Sequence, residues 1–579
     1  MPQGFSFTAP SFRTLDTSSG LENLFPGPNS PRSCTLSAAY NVRFTKDGGA
    51  RNRPGFTEMA DVGTSAKVDD CATMSIYGVS FWKSGTKIFQ ATKDNIDGGI
   101  SYDVGLTRTA TEKDYLFVHE KSVFATNPTD SFTRIAVSKI TAINSGTGAF
   151  SLTTGDGDFF ASGTVYIRGV QVTGGTLSGD DFSGCTGLTG SMAVGDIVTQ
   201  TSSPSGAPKG YCMGELEGSA LVGIGSTVQV SLPSTDQEPE LFWDFNLSNG
   251  ATAKRLSSNV RCIKTGLGVA MIGLSDGIDV ATGFTAFGAL LTNPLSRVHK
   301  VPNNRCITEM DREFAILTSD GRILVAMNGQ NGFEIVDDPN NPRNNFDYFI
   351  QGYIQQNKDQ TDNSLNSIFY NPVTKTLKAT ILMKDGLTQD IICQRDIGAW
   401  SIDDSKNFRC RTMIDGSEYG GDDTDDKIHR DEYGTTDNGT PIISRITTGR
   451  LRLGRKGVTG DFLNLVYGGT LSENGVFKQR IIHNDAIEEE EIMGEDMVED
   501  GQMSLSSGVS LGEGDMGAET AGGDPDATEV YTFNYPYEMM VDAEYVQLEW
   551  EISDEGTQFE LRYFDLSGEH EAELLTNPA

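Results

Sequence analysis

From about residue 61 to residue 440 the chain alternates short apolar runs with clusters of turn residues, at the period of strands and not of helices. Ser75-Ile76-Tyr77-Gly78-Val79-Ser80-Phe81-Trp82 leads through Ser84-Gly85 to Lys87-Ile88-Phe89, and Tyr115-Leu116-Phe117-Val118 leads to Val123-Phe124-Ala125. The same text pairs 220–224 with 228–231, 269–272 with 278–280, 314–317 with 323–325, and 377–382 with 391–393. Each pair predicts a β-hairpin. The last three are joined through Asp276-Gly277, Asp320-Gly321 and Asp385-Gly386, dipeptides suited to type I′ turns, which need positive φ at both central residues. Asp276 and Asp320 are 44 residues apart, within the roughly 40–50 residues of a propeller blade. The next interval, to Asp385, is 65, so the spacing suggests a propeller without requiring one. No sustained helical periodicity is present. The fold class is mostly β: a β-propeller over 61–137 and 204–440, of about six blades within the usual four to eight.

The flanks read differently. Residues 1–60 predict an extended N-terminal arm, because Pro10, Pro26, Pro28, Pro31 and Pro54 interrupt any regular element. Such an arm buries little alone, so it must lie along the body or reach a neighbouring subunit. Residues 138–203 are rich in Gly, Thr, Ser and Asp, with Lys139 and Arg168 their only basic residues, and predict a small β domain inserted through a loop. Strand text at Leu463-Asn464-Leu465-Val466-Tyr467 and Tyr545-Val546-Gln547-Leu548-Glu549-Trp550 predicts a C-terminal β-sandwich over 441–579, interrupted by an acidic flexible loop at 487–527.

Composition sharpens this picture in two respects. Gly contributes 66 of 579 residues, against an average usage of about 7%, which favours tight turns between short strands. Net charge is −35 and unevenly placed: residues 481–579 hold 27 acidic residues against Arg562 alone. Such a chain is a poor holder of nucleic acid, though an acidic wall would let nucleic acid slide past; solubility with a flexible acidic loop is the more ordinary explanation of the excess. The opening MPQGFSFTAPSFRTL has no basic run before an apolar core, and no apolar run approaches 18 residues, so neither a signal peptide nor a membrane span is expected. Eight scattered cysteines without a CxxC fit free, mostly buried thiols in a protein assembled in a cytoplasm.

Catalytic chemistry has no anchor. His119, His299, His429, His483 and His570 stand in no HExxH and beside no GxSxG, and neither a phosphate loop nor a dinucleotide fingerprint occurs. With 80 acidic residues, a glycosidase-like carboxylate pair cannot be singled out. Asp422, Asp423, Asp425 and Asp426 could ligate calcium, but the DxDxDG spacing is absent and a solvated turn is the expectation. Tyr531, Phe533, Tyr535 and Tyr537 share one face of a strand, which suits half-buried packing or, if exposed, stacking on sugars. The sequence therefore assigns no catalytic residue, no metal site and no cofactor.

One segment carries more: Asn41-Val42-Arg43-Phe44-Thr45-Lys46-Asp47-Gly48-Gly49-Ala50-Arg51-Asn52-Arg53-Pro54-Gly55-Phe56. Asp47-Gly48 closes a hairpin, and Arg51 and Arg53 project on one side of the outgoing strand, suited to a carboxylate or backbone-carbonyl partner or forming ordinary surface charge. The segment is similar to a stretch near the start of many bacteriophage tail β-propeller proteins, including the tail nozzle proteins of short-tailed phages. Glu240-Leu241-Phe242-Trp243-Asp244, Gly398-Ala399-Trp400-Ser401, 426–430 and 436–442 resemble blade endings and the crossing into a sandwich, and Phe182-Ser183-Gly184-Cys185-Thr186-Gly187 resembles a small β module of tail proteins. The islands span 41–445.

The resemblance implies a non-enzymatic structural protein of the virion tail, a nozzle- or hub-like subunit in a ring of identical copies, commonly six. The ring would join the upper tail, through adaptor proteins, to tail fibres and enclose the path of ejected genomic DNA without binding it specifically. Arg51, Arg53, Pro54, Gly55 and Phe56 are then expected at the subunit interface. The alternatives are a glycan-binding adhesin of the virion, a head-to-tail connector (stopper) protein and, more remotely, a glycosidase.

Overall fold

The computed structural model describes residues 36–44, 49–109, 113–204, 206–235, 239–286, 288–329, 332–338, 345–404, 406–448, 459–472, 475–483, 486–493, 503–505, 530–543, 545–553 and 559–569. The chain is mostly β. Among the described residues it forms seven successive four-stranded antiparallel units.

The first comprises Val68–Met74, Val79–Ser84, Lys87–Thr92 and Tyr102–Thr107. The second is led by Tyr115–His119, the third by Cys212–Leu216, the fourth by Val260–Gly266, the fifth by Ile307–Glu309 and the sixth by Ser367–Asn371. The seventh takes Phe408–Ile414, Ser417–Asp422 and Lys427–Asp431 from one end of the chain and its fourth strand, Phe56–Asp61, from the other. Each leading strand lies against the leading strand of the next unit, and the seventh returns to the first.

Apolar clusters fill most of the seams: Phe81 with Val123 and Ile135, Phe124 with Met213 and Phe242, Leu221 with Ile263 and Ile272, and Trp82 with Tyr419 and Ile428. Among the described residues, no apolar cluster joins units six and seven. Ion pairs cross that seam instead.

The predicted hairpins form, but their turns correct one expectation. Positive φ at both central residues occurs at Glu217-Gly218, Leu267-Gly268 and Asp415-Gly416, between first and second strands. Asp276-Gly277, Asp320-Gly321 and Asp385-Gly386 sit between second and third strands, and no Asp of the three has positive φ. These turns are wider, as in Thr318-Ser319-Asp320-Gly321-Arg322, so the aspartate need not enter the left-handed region.

The inserted segment is a six-strand closed barrel. Thr133–Asn144 and Ile197–Ser202 run out of the second unit, and Ala149–Leu152, Asp181–Ser183, Val170–Ser178 and Gly163–Ile167 close the circle between them. Phe150, Leu152, Val165, Ile167, Phe182 and Val198 fill it. Because two of its strands are shared, the barrel continues the second unit and does not hang from a flexible loop.

The expected arm is also corrected from residue 36 onward; residues 1–35 lie outside the described residues. Residues 36–61 are four strands in three sheets. Leu36–Tyr40 sits between Ala399–Asp403 of the sixth unit and Ser444–Thr448, extending that unit into a nine-stranded sheet that ends with Val546–Ile552, Val476–His483 and Ala486–Met493. Val42–Phe44 and Ala50–Asn52 form a hairpin in a second sheet with Phe559–Glu569, Gly460–Ser472, Val530–Ala543 and Met503–Leu505. The two sheets share a core of Phe462, Leu465, Tyr467, Phe477, Leu548, Trp550 and Phe559. Of the prolines that suggested an arm, Pro10, Pro26, Pro28 and Pro31, together with the Asp47-Gly48 turn, fall outside the described residues, while Pro54 follows the strand Ala50–Asn52.

The loop expected over 487–527 is corrected where residues are described: Ala486–Met493 and Met503–Leu505 are strands. Ala486–Met493 is a strand paired with Val476–His483, where Glu489 faces Arg480 and Glu488 faces His483. Pairing with a neighbouring strand that brings Arg480 against Glu489 accommodates in a sheet the start of what reads in sequence as an unbroken acidic run. Apart from Met503–Leu505, residues 494–527 lie outside the described residues.

Candidate functional site

The residues of the similar segment meet where the seventh unit, the sixth unit and the two C-terminal sheets converge. Asn41 starts the arrangement. At φ 53° it occupies the left-handed region, which Asn tolerates, and there the chain leaves Leu36–Tyr40 for the hairpin in the other sheet. Its side-chain amide donates to the carbonyl of Ile443 and to Asp404, both at 2.7 Å, while its side-chain oxygen accepts from Arg53 Nε at 2.9 Å.

Arg43 and Arg53 supply the first two cations. Arg43 grips Asp403 with both prongs, at 2.7 and 2.6 Å, and reaches Glu432 at 2.6 Å. Arg53 binds Asp437 through both terminal nitrogens. The strand ends at Asn52, so the alternation that would place Arg51 and Arg53 on one side does not reach Arg53, which turns inward and is buried. Arg51 stays half-buried, paired in register with Glu560. Pro54 offers its carbonyl to Arg53, Gly55 lies against the backbone of Thr436, and Phe56 packs edge-on against Phe408 and His429. The carboxylate partners of Arg53 therefore belong to its own chain.

Three further cations carry the network across the ionic seam. Lys378 contacts Asp431 at 2.8 Å and both Glu418 and Glu432 at 2.9 Å. Lys406 contacts Asp431 at 2.7 Å and Asp403 at 3.4 Å. Arg411 pairs with Asp390 and donates to Thr380 at 2.8 Å. Asp403, Lys406, Asp431, Lys378 and Glu418 are essentially inaccessible to water.

Burial alone would raise every carboxylate here. At Asp403 the charges of Arg43, Lys406 and Arg53 outweigh it and hold the group down to about 2. At Asp431 and Glu432 neighbouring cations likewise prevail over burial. Burial wins at Glu418, aided by Asp431, and raises it. A network of this kind fixes elements against one another; it offers no free nucleophile and no open coordination position.

Sequence reasoning found Arg53 and missed Asp403, Lys378, Lys406, Arg411, Glu418, Asp431 and Glu432. A signal was available: Lys378 interrupts Leu377-Lys378-Ala379-Thr380-Ile381-Leu382, and Asp403 ends Ala399-Trp400-Ser401-Ile402-Asp403, where a strand buried on both faces should be apolar.

Other sequence candidates take internal partners. Asp422 accepts from Thr424 and lies 3.2 Å from His429, Asp423 pairs with Arg409, and Asp426 accepts from the amides of Thr64 and Ser65. His119 stacks on Phe242, and His299 contacts Asp337 at 3.0 Å; His570 lies outside the described residues. Tyr531, Phe533, Tyr535 and Tyr537 do occupy alternate positions of one strand, Val530–Ala543, opposite Leu471, Gly469, Tyr467 and Leu465. A groove of about 300 Å³ between Thr73, Ser75, Gly78, Pro372, Val373, Met413 and Asp415 holds one carboxylate, not a facing pair. Among the described residues, no group of three or more His, Cys, Asp or Glu side chains could hold a metal ion, and no helix is long and apolar enough to cross a membrane.

No family model matches the chain, and no curated protein does. Among solved structures, the computationally designed Ika8 protein matches with a TM-score of 0.33 and 10% identity, over 65% of this chain and 99% of that one, a likeness too slight to carry an argument.

Proposed function

We propose that this protein is a structural subunit of a bacteriophage tail, a nozzle- or hub-like ring component that helps enclose the path of ejected DNA and joins the upper tail to fibres. In this reading the seven cyclic units are the blades of a β-propeller, closed by Phe56–Asp61, and the two C-terminal sheets are a β-sandwich. The observation that supports it is the network around Arg43 and Asp403. The polar residues that carry the resemblance to tail proteins, Asn41, Arg43 and Arg53, are buried where ring and C-terminal sheets meet, and they brace the two parts as a mechanical component requires.

The DNA path would run between subunits and not through a single ring. Arg305, at the lead-in to the fifth unit, crosses to Asp70 of the first and to the backbone carbonyl of Arg409 in the seventh, so a side chain closes the ring's own axis.

The test is the mass of the purified protein by light scattering, with its location in intact particles by cryo-electron microscopy. A closed ring of subunits around a channel wide enough for duplex DNA supports the proposal. A stable monomer that never joins other tail proteins overturns it and leaves the glycan-binding adhesin as the reading to pursue.

A further inference from the structure

The sixth, seventh and first units meet around a groove of about 300 Å³ that straddles the seam where the seventh returns to the first. Pro372 and Val373 come from the turn after Ser367–Asn371, Met413 and Asp415 from the end of Phe408–Ile414 and the turn after it, and Thr73 and Ser75 from the end of Val68–Met74 and its turn. The walls are braced. Thr73 and Thr412 share a hydrogen bond of 2.6 Å across the seam. The Asn371 side chain accepts from the amides of Val373 and Thr374, at 2.9 and 3.1 Å, and donates to the buried Glu418 at 3.1 Å. Tyr77 is buried and bonds Asp156 of the inserted barrel, fixing the turn that carries Ser75 and Gly78. A groove held in this way loses little freedom when it is filled.

One charged group in the groove is left over. Asp415 is exposed, and its carboxylate reaches from the seventh unit towards the first: a Cβ at Gly78 would stand 3.3 Å from its Oδ1. Among the described residues that carboxylate has no ion pair and no hydrogen-bond partner. Lys375, on the sixth-unit turn, is held instead by Asp311 at 2.9 Å. Pro372, Val373 and Met413 line the groove with hydrocarbon, and Val373 and Ile76 are 49% and 63% exposed beside it. Apolar walls leading to one unpaired carboxylate match a side chain with a hydrocarbon stem and a cationic tip. The volume is at the bottom of the roughly 300–1,000 Å³ of small-molecule pockets, room for one long side chain and not for a cofactor. A net charge of −35 favours a basic partner over a second copy of this chain.

We propose that this groove is a docking site for a partner protein, which inserts one arginine or lysine side chain between the three units. Its stem lies against Pro372, Val373 and Met413, and its cation rests on Asp415. A single basic side chain seated in a braced pocket is the usual form of an interface anchor. Because the groove has a wall on each side of the seam between the seventh and first units, the docked side chain also clamps that seam. The proposal is independent of the tail reading.

Methyl NMR on the full chain, labelled at methionine, decides it. The Met413 signal, assigned by its loss in Met413→Leu, is followed while a blocked isoleucine-arginine-isoleucine tripeptide is titrated, then its lysine counterpart and its uncharged citrulline isostere. The expected result is a saturable shift of Met413 with a basic peptide, weakened about tenfold or more by Asp415→Asn and by citrulline. Asn tolerates the left-handed backbone of residue 415, at φ 46°, so this variant removes the charge and keeps the turn, and its melting temperature should match the parent's. Equal binding of the lysine peptide supports the site and shows that charge alone is read at its end. Binding that survives Asp415→Asn, or that citrulline reproduces, overturns the proposal. So does the absence of a saturable shift with either basic peptide at millimolar concentration.

Discussion

Arg43 and Asp403 form a two-pronged ion pair across 360 residues of sequence, with Nη1 donating to Oδ1 at 2.7 Å and Nη2 to Oδ2 at 2.6 Å. The guanidinium comes from the N-terminal hairpin and the carboxylate from the last strand of the sixth unit. Two parts of the molecule that could otherwise move independently are tied at a point almost free of water.

Removing the guanidinium should therefore be expensive. Arg43→Met leaves Asp403 and Glu432 short of a partner in a buried site and is expected to cost about 3–5 kcal/mol in urea unfolding. Arg445, whose side chain is 41% exposed beside Glu549 and Glu551, provides the contrast: Arg445→Met should cost less than about 1 kcal/mol. Equal losses would show that the buried pair is not what joins the two parts.

Stability should fall in acid over a defined window. Asp403 has a folded-state value of about 2 against about 3.9 unfolded, so its contribution is fully present above pH 4 and disappears as pH falls towards 2. The shift corresponds to about 2–3 kcal/mol, and Asp431 and Glu432, also held low, act in the same direction. Glu418, raised by burial, acts with the opposite sign. Urea midpoints measured from pH 7 to pH 2 should drop below pH 4, with a shallower drop in Asp403→Asn. An unchanged slope in that variant would assign the acid sensitivity to other groups.

A single methyl tests the closing strand. A Cβ at Gly55 would collide with the backbone carbonyl of Thr436, whereas one at Gly190 meets open space. Gly55→Ala is expected to cost about 1–3 kcal/mol and Gly190→Ala close to nothing, read from chemical denaturation. Neutrality at Gly55 would mean the crossing at 436–437 is free to give way.

The thiols should be silent until the chain opens. Burial pushes Cys262 and Cys393 up to about 12 and raises Cys71, Cys212 and Cys306 as well. A colorimetric thiol reagent at pH 8 should leave these five unreacted in the native protein and reach all eight cysteines in guanidinium. Rapid native labelling at any of the five, located by mass spectrometry, would contradict their placement.

Much of the strand pattern was legible because local rules govern it. Asp276-Gly277, Asp320-Gly321 and Asp385-Gly386 mark the same turn in three successive units, which is why their spacing hinted at a repeat. The interval of 65 is long because the helix Gln351–Asn357 and its flanks lie between the fifth and sixth units. What stayed hidden depends on distant partners. Leu36–Tyr40 becomes a strand only because Ser444–Thr448 and Ala399–Asp403 flank it, some four hundred residues away. The partners of Asp403 and Lys406 were not legible, because nothing near them in sequence announces Arg43.

Phe56–Asp61 has a consequence for how the molecule is made. It leaves the ribosome about 370 residues before its partner, Lys427–Asp431, a delay on the order of tens of seconds at ordinary elongation rates. During that interval an early strand waits with an open edge, and the entropy of joining so distant a pair must be met before the last seam is sealed. The nascent chain is thus open to wrong pairing at that edge until Lys427–Asp431 arrives to cover it.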